Sequence, residues 1–164
     1  MMTARLLILA SLAWWYCLIT VVFPRMTPTS AFERAERPLS TEPTELAVTL
    51  LKNAGQFSSA RVGYAGMTTN EALAWRVLVF RADAESTFLQ LLDTATPAGQ
   101  LYALAGLRFQ SAELFAKEAK RFEDRADEVS VHSGCIIWSA RFDELLAQIG
   151  RGEWVQDLVS GSEE

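Results

Sequence analysis

His132 is the single histidine of the chain, and Cys135 follows it three residues later. A thiol next to an imidazole can act as an activated nucleophile, and the same two side chains can serve as metal ligands. A structural zinc ion needs four ligands, and the second cysteine, Cys17, stands inside a long uncharged stretch near the amino terminus. His132 and Cys135 are therefore a tentative reactive pair, set against an ordinary reading as a small thiol and a partly exposed imidazole. No catalytic residue, cofactor or metal ligand is assigned.

Carboxylates are the next source of chemistry. Glu123, Asp124, Asp127 and Glu128 form the densest group, but Lys117, Lys120, Arg121 and Arg125 are interleaved with them. Opposite charges three or four residues apart, such as Glu113 and Lys117, describe a solvated helix face. Gly63-Tyr64-Ala65-Gly66 has neither the lysine and hydroxyl of a phosphate loop nor a dinucleotide fingerprint, so it reads as a turn.

The elements that would position these residues are uneven along the chain. Its 164 residues are 50% hydrophobic and 21% charged, with a net charge of -5. That balance excludes wholesale disorder and gives no electrostatic basis for nucleic-acid binding. Between Arg5 and Arg25 no residue is charged, and the run from Leu6 to Phe23 approaches the ~20 residues that span a bilayer core. Residues 1–24 read as a transmembrane anchor, carried by Leu6, Leu9, Leu12, Trp14, Trp15, Tyr16, Ile19, Val22 and Phe23. A cleaved leader and a buried core helix are the competing readings. Trp14, Trp15 and Tyr16 are bulky for a leader, and a core helix usually keeps one polar face. Single-pass membrane attachment follows as the expectation, with the remaining domain outside the cytoplasm, although Arg25, Arg34 and Arg37 leave the orientation open.

Residues 25–43 hold Pro28, Pro38 and Pro43 among Thr and Ser and read as an extended linker. Residues 44–160 read as a helical domain and 161–164 as a tail. Thr68 with Glu71 matches a capping box, followed by Leu73, Val77 and Phe80 at helical spacing. Asp83 precedes Phe88, Leu91 and Leu92. Thr96-Pro97 marks another start, with Leu101, Leu104, Ala105 and Leu107 behind it. Ser111 precedes Leu114, Phe115, Ala119 and Phe122. Ser139 precedes Phe142, Leu145, Leu146 and Ile149, with Gly150 as a left-handed stop. Trp154, Val155, Leu158 and Val159 form a last short amphipathic piece. Gly99 and Gly106, seven apart, are sites for close helix approach. Val129 to Trp138 alternates and is β-branched, which predicts a small hairpin or a buried loop.

The expected fold is all-α: a transmembrane helix, then a small helical bundle or short αα-repeat, with a possible hairpin near 129–138. An offset of 28 residues places Leu73 on Leu101, Ala84 on Ala112, Glu85 on Glu113 and Asp83 on Ser111. Over residues 68–124 this pattern resembles HEAT-type αα-repeats, and the resemblance implies stacked helix pairs with a concave binding face.

With no catalytic motif, the sequence points to a membrane-anchored, non-enzymatic interaction module. Its partners would be membrane lipid through the leading helix and an unknown protein through the domain. A secreted or periplasmic binding protein with a cleaved leader is the alternative, and an enzyme using His132 and Cys135 a further one. Trp75, Tyr102, Trp138 and Trp154 belong to the core at helical spacing, or, where exposed together, to a partner surface.

Overall fold

A computed structural model describes residues 41–160. The anchor reading of 1–24, with every residue assigned to it, lies outside the described residues, as do linker positions 25–40 and the tail 161–164. Among the described residues no helix is long and apolar enough to cross a membrane, so no described element carries the single-pass expectation.

Two hairpins, far apart in the chain, make the sheet. β1 (Phe57–Val62) is followed by the short β2 (Met67–Thr68), and β3 (Glu128–Gly134) by β4 (Ile136–Arg141). β1 and β3 run parallel, with Phe57 beside Val131 and Ser58 beside His132, while both hairpins are antiparallel. The strand order is β2-β1-β3-β4. The all-α expectation is therefore wrong: the domain is mixed α/β. The alternation at 129–138 does form a hairpin, but it is half of a sheet. A hairpin alone is marginal, and β1 supplies the neighbour that makes this one stable. β1 escapes sequence reading because Phe57, Ser58, Ser59 and Ala60 are all buried, so no alternation marks it.

Parallel strands need a long crossover. Here it is helical: α2 (Asn70–Val79), α3 (Ala84–Thr94), α4 (Pro97–Gln110) and α5 (Ala112–Ala119), then a 3-10 turn at Lys120–Phe122. α1 (Thr41–Lys52) precedes the sheet, and α6 (Phe142–Arg151) and α7 (Glu153–Ser160) follow it. Pro43, the end of the expected linker, falls in the first turn of α1, where a missing N–H costs no helix bond.

The caps explain the boundaries. Thr69, rather than Thr68, caps α2 by accepting from the Ala72 N–H at 3.1 Å, because Thr68 is already in β2. Thr96 caps α4 through the Gly99 N–H at 3.2 Å, and its hydroxyl also donates to the Ala54 carbonyl at 2.6 Å, tying α4 to the end of α1. Ser111 caps α5 as expected, by way of the Leu114 N–H. Asp83 makes no cap bond, because Arg81 holds its carboxylate at 2.7 Å. α6 ends at Gly152, with φ 85°, two residues beyond the expected Gly150.

α4 is the centre of the core. Ala98, Gly99 and all of Leu101 to Leu107 are buried, as suits a helix apolar all round. A Cβ on Gly99 would lie 2.2 Å from the Leu51 carbonyl oxygen of α1, and one on Gly106 2.3 Å from the Phe88 ring of α3. Both glycines are thus close-approach sites, as their spacing implied. Helix pairs α2–α3 and α4–α5 fall where the 28-residue offset placed them. They do not form a repeat array, however, since α4 is enclosed by helices and sheet and belongs to one shared core.

Candidate functional site

The hairpin that holds His132 and Cys135 keeps them in different settings. His132 lies within β3, paired with Ile137 across the hairpin, and is half-buried. Cys135 sits at the turn between β3 and β4, exposed and unbridged. Gly134, the residue before it, has φ 54°. A positive φ at the first of two loop residues, with none at the second, is the type II′ pattern. Among the described residues no group of three or more His, Cys, Asp or Glu is placed to hold a metal ion.

The acidic group is equally placed by structure. Glu123, Asp124, Asp127 and Glu128 are exposed. Arg121 bridges Asp93 of α3 at 2.6 Å and Glu118 of α5 at 3.0 Å. Arg125 pairs with Asp127 at 2.5 Å and lies over the Phe142 ring at 4.7 Å. Lys117 approaches Glu118 at 3.9 Å rather than the expected Glu113. These charges fasten α3, α5 and the start of α6.

A polar notch of about 310 Å³ opens between the sheet and the last two helices, lined by Ser59, Ser133, Trp138, Gln148, Glu153, Trp154 and Asp157. Its two carboxylates, the Gln148 amide and the Trp154 indole are already engaged. Asp157 accepts the Ala60 N–H at 2.7 Å, the Trp154 indole donates to Gln148 at 2.7 Å, and Glu153 accepts from Arg151 at 2.6 Å. No pair of side chains here has the geometry of a nucleophile and its base.

Apolar surface is the distinctive feature. Leu73, Val77 and Phe80, expected to bury the face of α2, are exposed by 49%, 44% and 69%. α2 turns Ala72, Trp75, Leu78 and Val79 inward instead. Its outward stripe and α1 form a groove of about 270 Å³ lined by Pro43, Leu46, Ala47, Leu50, Asn70, Leu73, Ala74 and Val77. Phe80 continues the stripe and meets Phe109 edge to face, centroids 5.7 Å apart. Isolated exposed apolar residues are ordinary, but here they form a contiguous stripe beside a groove. The sequence contained its residues; it did not say which side of α2 would be covered. A second apolar exposure lies on β4, at Ile136, Ile137 and Trp138. Of Trp75, Tyr102, Trp138 and Trp154, the first, second and fourth are buried and Trp138 is exposed.

Comparison of the chain with known protein families, with curated proteins and with solved structures finds no match.

Proposed function

We propose that this protein is a non-enzymatic interaction module whose α1–α2 groove receives an amphipathic helix of a partner protein. The exposed stripe Leu73–Val77–Phe80 carries the reading. An incoming helix would lay residues at i, i+3, i+4 and i+7 into such a groove. Glu45, exposed beside Leu46, and Glu71, beside Asn70, favour basic residues flanking the partner's stripe. The uncharged run Leu6 to Phe23 supports a place for the module at a membrane, where tethering raises its local concentration near membrane-bound partners.

A photo-crosslinking residue at Val77 of the full chain tests this. The expected product is a single adduct whose mapped site is an amphipathic helix of another protein, lost on Leu73→Glu. An adduct confined to residues 6–23 of the same chain, or none in cells, overturns the proposal.

A further inference from the structure

The two edges of the sheet are treated differently. At one end β2 is two residues long, and a very short edge strand is a usual means of blunting an edge. At the other end β4 runs over Ile136–Arg141 with nothing paired to its outer side among the described residues. Lys, Pro, an inward charge or a bulge would ordinarily guard such a strand. Ile136-Ile137-Trp138-Ser139-Ala140 has no charge and no proline, and its pairing with β3 runs without a break from Ser133–Ile136 to Glu128–Arg141.

The open side is a row of backbone groups with a defined phase. The Phe142 N–H reaches back to the Asp127 carbonyl at 2.9 Å. Antiparallel bonding alternates, so Ala140, Trp138 and Ile136 direct their N–H and C=O groups to β3. Ile137, Ser139 and Arg141 direct theirs outward. Such a row is satisfied by another extended strand, and a helix cannot satisfy it.

We propose that β4 is the seat of a homodimer, in which two copies of this chain pair their β4 strands antiparallel about Trp138. This register sets Ile137 opposite Ser139, so the outward groups bond to one another. It also sets Trp138 opposite Trp138 and Ile136 opposite Ala140. Ile136 to Ala140, which face one another in this register, are all uncharged, so an identical strand meets no repulsion there in a chain of net charge -5, and Arg141, at the end of the register opposite the uncharged Cys135, is held by Asp143. A two-fold axis closes the assembly at two copies and makes one continuous sheet across them. This surface is separate from the α1–α2 groove, and the proposal stands whether or not that groove is occupied.

Sedimentation of the full chain over a concentration series, in mild detergent throughout, tests it with two variants. Ser139→Pro removes an outward N–H, and Ile137→Lys guards the edge. The unaltered chain is expected to reach a two-copy limit, and each variant to weaken it by about tenfold or more with the folded far-UV spectrum retained. A nitroxide on Cys135 in a Cys17→Ser chain gives a geometric check needing no change in β4. Cys135 would sit opposite Arg141, six residues from its own equivalent, or roughly 20 Å along the strand. A monomer at every concentration, association undiminished by both variants, or a spin separation of more than twice that value overturns the proposal.

Discussion

Tyr102 joins the core to the sheet through one side chain. Its hydroxyl accepts the Ser58 N–H at 2.9 Å, and its own carbonyl accepts the Trp75 indole N–H at 3.1 Å. Tyr102→Phe leaves a buried N–H unpaired, for which the expected loss is about 1–3 kcal/mol in urea unfolding. Burial, the largest influence, pushes the Tyr102 phenol well above its ordinary pKa of 10.0. The folded state therefore keeps a proton that the unfolded chain releases. Stability is full below pH 10 and falls as the pH climbs past it, and the fall should be shallower in Tyr102→Phe, read from unfolding midpoints at alkaline pH. The two close-approach glycines differ in what they face. Gly106 meets a ring that can shift, whereas Gly99 meets the Leu51 backbone carbonyl. Both alanine variants should be destabilised through overpacking, by about 1–3 kcal/mol for Gly106→Ala and more for Gly99→Ala, read from urea unfolding.

α2 shows how much of this protein could be read in advance. Its apolar residues lie on two faces, Leu73–Val77–Phe80 and Trp75–Leu78–Val79, and periodicity alone cannot rank them. Packing against α1 and α4 decides the matter by burying Trp75 fully. Trp75→Ala should cost about 3–5 kcal/mol, whereas Leu73→Gln should stay within ~0.5 kcal/mol, both by urea unfolding. The reverse ranking would contradict the observed orientation of the helix. Helix starts with strong local chemistry were legible, as at Thr96-Pro97 and Ser111, because a cap needs only its neighbours. β1 was hidden because a strand covered on both faces loses its alternation. The α1–α2 groove was hidden for another reason: exposure belongs to the assembled helices, and no single helix encodes it. The three-residue spacing of His132 and Cys135 said nothing of their placement, which the hairpin sets by putting one residue in a strand and the other at a turn.

At the scale of the molecule, α7 closes the structure. The Trp154 ring packs on Phe57 with centroids 4.5 Å apart, Asp157 accepts the Ala60 N–H, and the Leu158 carbonyl accepts from Arg76 of α2. Deleting residues 153–164 should abolish the cooperative far-UV melting transition, since it uncovers Phe57 and strips β1 of its supports. A transition unchanged in midpoint would show that the sheet stands without this helix.

The parallel pairing of β1 with β3 has a consequence for synthesis. β1 leaves the ribosome with only two-residue β2 as a partner, and its other side must wait until the whole helical crossover has been made. Loop-closure entropy sets in before that contact repays it, so the helices gather first and the sheet is completed late. During that interval Phe57 lacks the cover that β3 and α7 give it in the finished domain, and apolar surface uncovered in this way favours aggregation.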